Sequence, residues 1–139
     1  MSEAQNTQSV KDAYAAFGRG DVNAILAMVD DSIEWDGVKG AEGVAPQAGL
    51  RRGKVAVGAF FQQVGSTLDF QAFEPKEFVA QGDSVVAVGF YKATVKATQR
   101  QTGSDWVMVF NFRGGKIVRF REFTDSAALV RAYAPPVAV

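Results

Sequence analysis

The sequence predicts an α+β fold in which helices pack on one face of a curved, mostly antiparallel sheet. Apolar residues recur with a helical period in the first half of the chain. From Leu68 onward they instead alternate with polar residues, as they do in strands. A run of helices followed by a run of strands is typical of α+β proteins. The chain has 139 residues and shows no internal repeat or linker, so we expect a single domain over 1–139.

The composition narrows the functions to consider. Lys plus Arg and Asp plus Glu are equal, at 15 each, which gives no electrostatic reason to expect a nucleic-acid partner. The chain has no cysteine and no histidine, so thiolate chemistry and the commonest metal ligand and general base are excluded. We therefore expect no metal and no cofactor, and carboxylates become the main candidates for proton chemistry.

The distribution of apolar residues also bears on location. The first ten residues are polar and unlike a signal peptide. No apolar run approaches the roughly 20 residues that span a membrane. We therefore expect a cytoplasmic protein without a membrane partner.

Three helices are predicted before the main sheet, each with apolar residues at i, i+3, i+4 and i+7. These residues are Val10, Ala13, Tyr14 and Phe17, then Val22, Ile25, Leu26 and Val29, then Val57, Phe60, Phe61 and Val64. Ser9 and Asp21 are the expected N-caps of the first two helices. Asp30 and Asp31 follow the second helix, and we expect them to be turn residues.

A short strand containing Trp35 is predicted between the second and third helices, followed by a glycine-rich loop over residues 37–53. The later strands read LDFQAFEPKEFVA, DSVVAVGFYKATVKAT, DWVMVFNFR and KIVRFREFT. The Gly114–Gly115 pair between the last two predicts a hairpin. The segment DSAALVRAYA is predicted to form a closing helix that begins at Asp125 and ends before Pro135–Pro136.

Alternation along the last two strands predicts which side chains face the interior. In the first, the large apolar set points inward: Trp106, Met108, Phe110 and Phe112. In the second, Arg119 and Arg121 are unsuited to a core, so Ile117 on their face is also placed outside. The inward set is then Val118, Phe120, Glu122 and Thr124. Glu122 is either a solvated or paired residue at the end of the sheet or a pocket acid whose pKa is raised by burial.

The stretch DDSIEWDG (residues 30–37) concentrates acidic residues before a glycine. In a strand, Glu34 and Asp36 share one face and Trp35 takes the other. An aspartate before glycine is commonly a turn residue. From the residues alone, Asp36 is either such a turn residue or a carboxylate that serves as a base.

Several blocks resemble the SnoaL-like and ketosteroid-isomerase-like proteins of the nuclear transport factor 2-like superfamily. They include VKDAYAAFGRGDVNAILAMVDDSIEWDG, the LRRG turn before FF, the hairpin WVMVFNFRGGKI and the closing REFTD. The resemblance implies a cone-shaped α+β barrel, with three N-terminal helices packed on a curved, mostly antiparallel sheet around an apolar pocket. It also implies a homodimer formed through the outer face of the sheet.

The resemblance assigns roles to particular residues. It places Asp36 on the aspartate base of the ketosteroid isomerases. Their two oxyanion donors fall on Ala13 and Met108, so a true steroid isomerase is not expected. SnoaL-type polyketide cyclases usually add a histidine, which this chain lacks. Limonene-type epoxide hydrolases use an aspartate–arginine–aspartate set, and Arg119 and Arg121 are predicted to point away from the pocket.

The sequence thus leads to one main expectation and two alternatives. The main expectation is a proton-transfer isomerase or polyketide-cyclase-type enzyme for an apolar carbonyl compound, with Asp36 as base and Glu122 facing the same enclosed space. The expected pocket residues are Tyr14, Trp35, Phe60, Trp106, Met108, Phe110 and Phe120. The alternatives are a non-catalytic domain that binds a hydrophobic small molecule and a dimerisation domain with a filled core.

Overall fold

The computed structural model describes residues 2–134, in which four helices and six strands form the predicted α+β fold. The helices are α1 (Glu3–Gly18), α2 (Val22–Leu26), α3 (Lys54–Thr67) and α4 (Ser126–Tyr133). The strands are β1 (Val29–Gly37), β2 (Gly49–Arg52), β3 (Leu68–Gln81), β4 (Ser84–Val95), β5 (Arg100–Arg113) and β6 (Lys116–Thr124). Within 2–134, no helix is both long and apolar enough to cross a membrane.

The six strands form one curved sheet in the order β2-β1-β6-β5-β4-β3. All neighbours are antiparallel except β1 and β6, which run parallel. β3 changes register at two points, between Phe70 and Ala72 and between Pro75 and Glu77. Such bulges bend a strand and increase its twist, which helps to curve the sheet around the helices. The sheet stays open, because β2 and β3 are its free edges, so the expected barrel is not closed.

The first two helices differ from the prediction at their ends. α1 begins after Ser2, which forms a capping box with Gln5, so the predicted cap at Ser9 is wrong. The polar residues before Ser9 carry no apolar period, which is why the first turns escaped prediction. α2 does begin after its predicted cap, Asp21, but ends at Leu26. Val29 was expected to extend α2 and instead begins β1.

The segment after β1 contains a strand that the sequence did not reveal. Residues 37–53 were expected to be loop throughout, whereas Gly49–Arg52 forms β2 and pairs with β1. This edge strand is short, and its Leu50 side chain is exposed, so it has no apolar alternation to detect. β5 likewise begins at Arg100, five residues earlier than the predicted DWVMVFNFR segment.

The turn predictions at the end of the chain are confirmed where the structure describes them. Gly114 and Gly115 have φ values of 57° and 80°, as a tight hairpin between twisted strands requires. The Asp125 carboxylate accepts a hydrogen bond from the Ala128 N–H at 3.0 Å and caps α4. The predicted stop at Pro135–Pro136 lies outside the described residues.

The core lies between the concave face of the sheet and helices α1 and α3. The inward set on β5 is confirmed, since all four of its side chains are buried. The prediction for β6 is wrong at its start. A register shift brings Ile117, rather than Val118, opposite Phe112, and Ile117 is buried. Beyond the shift, Phe120 and Glu122 lie on the inner face as predicted.

Candidate functional site

A cavity of about 90 Å³ lies between α1, α3 and the concave face of the sheet. All seven residues expected to form a pocket line it: Tyr14, Trp35, Phe60, Trp106, Met108, Phe110 and Phe120. Its volume is smaller than the roughly 150 Å³ of an engineered cavity that admits benzene. A ligand larger than a single ring would therefore require side chains to move.

The wall of the cavity is mostly aromatic and tightly packed. Trp35 on β1 stacks on Phe120 of β6 with ring centroids 3.8 Å apart, and Trp106 stacks on Phe73 at 5.2 Å. Gly89 lies beneath Trp106, where an added Cβ atom would overlap the indole ring and the Glu74 carbonyl oxygen. Glycine is therefore required here by space.

Glu122 is the one carboxylate among the described residues that line the cavity. Its Oε1 accepts a hydrogen bond from the Val38 N–H at 3.3 Å. Burial raises the pKa of Glu122 to about 7, and the Val38 hydrogen bond partly opposes that rise by stabilising the charged form. A carboxyl group with this pKa can both take up and release a proton near neutral pH.

Tyr14 lies close to Glu122 on the inner face. Its hydroxyl donates to the Met108 Sδ at 3.0 Å, and Met108 is the cross-strand partner of Glu122. Burial, and secondarily the negative charge of Glu122, raise the pKa of Tyr14. The phenol therefore remains protonated and able to donate. A thioether is a weak acceptor, so a ligand oxygen could replace Met108 as the partner of this hydroxyl.

This contact changes the conclusion drawn from the aligned oxyanion donors. The family resemblance placed them on Ala13 and Met108, neither of which donates a hydrogen bond from its side chain. In the structure, Tyr14 follows Ala13 on the same helix, and its hydroxyl reaches the Met108 side chain. Both α1 residues belong to one apolar stripe and both line the cavity, but only Tyr14 carries a hydroxyl that can donate a hydrogen bond.

The end of the cavity nearest α4 is more polar. Gln47 is buried, and its Oε1 accepts a hydrogen bond from the Tyr133 hydroxyl at 3.0 Å. Thr124 shares a hydrogen bond with Ser104 at 2.6 Å. Burial raises the pKa of Tyr91, which also lines the cavity. This end of the cavity therefore carries several hydrogen-bonding side chains.

The sequence reasoning missed two of these residues. Alternation along β4 could have placed Tyr91 inward, because the buried residues Ala87 and Ala93 share its face. Gln47 lies in a glycine-rich loop without any period, so no sequence signal pointed to it.

Asp36 does not share this space. Its neighbour Trp35 faces the cavity, and the Asp36 side chain points to the other face of β1, where its Oδ2 lies 2.7 Å from the Lys39 Nζ. The expectation that Asp36 and Glu122 face one enclosed space is therefore not met, because adjacent strand residues point to opposite faces. A catalytic role for Asp36 stays a prediction.

Other charged side chains on β1 and β2 also lie outside the cavity. The Arg51 guanidinium donates to the backbone carbonyls of Pro46 and Ala56, and Arg52 pairs with Glu34 at 3.6 Å. Across residues 2–134, no group of three or more His, Cys, Asp or Glu side chains is arranged to hold a metal ion.

Comparison with known proteins places these features in a family. Residues 10–120 match the SnoaL-like domain family. An NTF2-like protein from Burkholderia xenovorans has a similar structure, with a TM-score of 0.86 and 41% sequence identity over 96% of this chain and 99% of that one. An NTF2-like protein from Burkholderia thailandensis has a TM-score of 0.82 and 30% identity, over 94% of this chain and 98% of that one.

A more distant structural relative is TerC, which was co-crystallised with polyporic acid. It has a TM-score of 0.79 and 24% identity, over 93% of this chain and 98% of TerC. At this identity the likeness shows the fold alone. No curated protein matches the chain. From the match over residues 10–120 and the two Burkholderia structures, the chain belongs to the SnoaL-like family of the NTF2-like (nuclear transport factor 2-like) superfamily.

Proposed function

We propose that this protein is a small enzyme that moves a proton on an apolar carbonyl compound, in an isomerase- or cyclase-type reaction. One observation carries the proposal: a carboxyl group with a pKa of about 7, Glu122, faces an aromatic cavity beside the protonated phenol of Tyr14. Titratable groups with perturbed pKa values in such a cavity are typical of catalytic sites.

In the proposed reaction, the Glu122 carboxylate takes a proton from a carbon next to the ligand carbonyl. The electrons of the broken C–H bond form a C=C bond, and the carbonyl becomes an enolate. The Tyr14 hydroxyl leaves Met108 and donates to the enolate oxygen. In an isomerisation, Glu122 returns the proton to a different carbon. In a cyclisation, the enolate carbon attacks a second carbonyl of the same molecule, and the new alkoxide takes up the proton.

The magnitudes expected for these two groups are large enough to support catalysis. General acid–base catalysis typically contributes about 10²–10⁴ in rate. One oxyanion donor contributes on the order of 10²–10³. Both effects are strengthened in a cavity that excludes water, because charges and dipoles interact more strongly there than in solution.

The proposal assigns the base to Glu122, whereas the family resemblance assigned it to Asp36. The cavity position of Glu122 supports the change, together with the Lys39 ion pair that holds Asp36 on the other face of β1. The two assignments predict opposite results for Glu122→Gln and Asp36→Asn, which remove one carboxylate each and keep the side-chain shape.

The test uses small cyclic ketones, from cyclohexenone to tetralone, first screened for binding by thermal shift. Hydrogen–deuterium exchange next to the carbonyl of each binder is then followed by NMR. We expect Glu122→Gln to slow exchange by about 10²–10⁴, with binding retained, and Asp36→Asn to slow it by at most about tenfold. The proposal fails if Glu122→Gln exchanges at the wild-type rate, or if no ketone that binds exchanges faster with the wild type than with Glu122→Gln.

A second candidate function is non-catalytic binding of a hydrophobic small molecule in the same cavity. The predominantly apolar, aromatic wall favours it, since such a surface gains free energy by burying an apolar ligand. This function predicts that ketones, and polyporic acid as a further probe, raise the melting temperature of the wild type and Glu122→Gln equally, without exchange.

We also propose that the protein forms a homodimer through the outer face of the sheet. Apolar residues on β3–β6 are cross-strand neighbours there and form one partly exposed patch. They are Val79, Val86, Val88, Val107, Val109 and Phe123. Contiguous apolar patches of this kind mark interaction surfaces.

The dimer is tested by sedimentation velocity with Val88→Lys, which places a charge within the patch. We expect this variant to sediment as a monomer. Val55→Lys is the control, because Val55 is 90% exposed on α3 and should leave the dimer intact. A monomeric wild type would contradict the proposal.

A cytoplasmic location stays a prediction from the sequence.

A further inference from the structure

The turn that follows β1 has an unusual backbone conformation. Val38 has a φ of 48°, in the left-handed region that β-branched residues strongly disfavour. Its side chain is nevertheless buried, in a small cluster with Ala41, Ala45 and Leu129. A strained residue persists only where its surroundings hold it, and such residues concentrate at functional sites.

An ion pair spans this turn. Asp36 and Lys39 lie on either side of Gly37 and Val38, and the Asp36 Oδ2 is 2.7 Å from the Lys39 Nζ. The Asp36 side chain is 21% exposed and the Lys39 side chain 40% exposed, so the pair is partly buried and water screens it less than it would screen a fully exposed pair. The Lys39 N–H also donates to the Glu122 carbonyl oxygen at 3.2 Å, which ties the turn to β6.

The turn matters because it directs a donor at the cavity carboxyl group. The Val38 N–H points at the Glu122 Oε1, at 3.3 Å. The other groups around this carboxyl are the Tyr14 phenol from α1, the Tyr91 phenol from β4 and Met108 from β5. If the turn relaxed, the carboxylate would lose the Val38 donor while its other neighbours stayed in place.

We infer that Asp36 is a positioning residue, whose ion pair with Lys39 holds the Val38 turn so that the Val38 N–H orients Glu122 in the cavity. The inference rests on the proposed function in one respect, namely that Glu122 is the group that exchanges a proton with the ligand. It gives Asp36 a part at the site without contact with the ligand. The ion pair lies on the outer face of β1, and its effect reaches the cavity through the backbone of a single turn.

The test is the pH titration of the Glu122 side-chain carboxyl in Asp36→Asn, followed by carbon-13 NMR and assigned by its absence in Glu122→Gln. If the turn relaxes, the charged form loses a hydrogen bond, and we expect the midpoint to rise by up to about 1 pH unit. A purely electrostatic effect has the opposite sign, because removing the negative charge of Asp36 makes it easier to ionise Glu122 and lowers the midpoint.

Two further variants complete the design. Glu34→Gln removes a carboxylate from the same face of β1, where Glu34 pairs with Arg52 away from the turn, and should leave the midpoint unchanged. Glycine adopts the left-handed conformation without strain, so in Val38→Gly the turn no longer depends on the ion pair. Adding Asp36→Asn to Val38→Gly should therefore not raise the Glu122 midpoint.

The outcomes separate this inference from the proposed function. An unchanged or lowered midpoint in Asp36→Asn, or an equal rise in the Val38→Gly background, would overturn the positioning role whatever the enzyme activity. If Glu122→Gln retained full exchange activity, the proposed function would fail, while the titration would still report on the turn. A thermal melt of Asp36→Asn shows whether the variant is folded, and if it is not, the double variant with Val38→Gly is compared with Val38→Gly alone.

Discussion

Asp36 and Glu122 lie on neighbouring strands but in opposite environments. Asp36 on β1 points to the outer face and pairs with Lys39, whereas Glu122 on β6 points into an aromatic cavity and accepts a hydrogen bond from the Val38 N–H. In the parallel β1–β6 ladder, Asp36 lies opposite Arg121, the residue before Glu122. Because neighbouring residues of a strand point to opposite faces, only Glu122 of the two carboxylates faces the cavity.

The comparison also shows that the positions selected by the resemblance and the positions that line the cavity differ at the level of single residues. The aligned aspartate is present in sequence, yet the cavity carboxyl group comes from a different strand. The aligned donor position on α1 is alanine, yet the next residue supplies a hydroxyl that reaches the same region. The structure therefore offers a carboxyl group and a phenol from positions that the aligned pattern did not select.

The largest expected effect among the following predictions concerns Tyr14, the proposed donor on the cavity side. Tyr14→Phe keeps the ring and removes the hydroxyl, so the enolate oxygen would lose its hydrogen bond. We expect the exchange rate of a bound ketone to fall by about 10²–10³. Tyr133→Phe is a matched control, because its hydroxyl bonds Gln47 instead of Met108. Equal losses in both variants would contradict the role of Tyr14.

The next prediction concerns stability against pH. Burial raises the pKa of Glu122 from its ordinary value of 4.5 to about 7, so the folded protein holds this proton more tightly than the unfolded chain. The stability that Glu122 contributes is fully present below pH 4.5 and is lost as pH rises to about 7. At about 1.36 kcal/mol per pH unit, the loss is at most about 3 kcal/mol.

Urea unfolding of the wild type and Glu122→Gln at several pH values measures this loss. The difference in unfolding free energy between the two proteins should change by up to about 3 kcal/mol over that window. In Asp36→Asn, the unfolding free energy should also fall with pH through the titration of Glu122. The pH range of this fall should move only by as much as loss of the Val38 hydrogen bond moves the Glu122 midpoint. A constant difference between wild type and Glu122→Gln from pH 4.5 to 7 would show that the pKa of this carboxyl group is not raised in the folded protein.

The smallest effect concerns the aromatic wall. In Gly89→Ala the new methyl group would meet the Trp106 ring and the Glu74 carbonyl oxygen, and we expect a loss of about 1–3 kcal/mol in the free energy of unfolding. Gly65→Ala, where the added methyl group meets no atom within 4 Å, should be neutral or stabilising by about 0.5–1 kcal/mol. Chemical denaturation of both variants checks this, and equal stabilities would contradict the close packing at Trp106.

The sequence predicted the parts of the fold that carry a strong period. The inward apolar set on β5, the Gly114–Gly115 hairpin and the Asp125 cap are all found. Elements without a period escaped prediction, such as β2, where pairing with β1 supplies the order. The bulge near Val118 also escaped, because a shift of register leaves no mark on alternation until the partner strand is known.

The candidate site was predictable to a similar degree. Alternation placed Glu122 on the face of Phe120 but left open whether it was a solvated or paired residue or a pocket acid. The seven expected lining residues all reach the cavity. The separation of Asp36 from this space was implicit in the inward position of Trp35, since neighbours on a strand face opposite ways. The contact of Tyr14 with Met108 depends on how α1 sits against β5, which no local pattern specifies.

The most direct test of the account is the titration of the Glu122 carboxyl group in the wild-type protein by carbon-13 NMR, with Glu122→Gln identifying the signal. The account places this carboxyl group inside an apolar cavity, in reach of both a ligand and a proton. It therefore predicts a midpoint at about pH 7. A midpoint near 4.5, the ordinary value for a solvated glutamate, would contradict it.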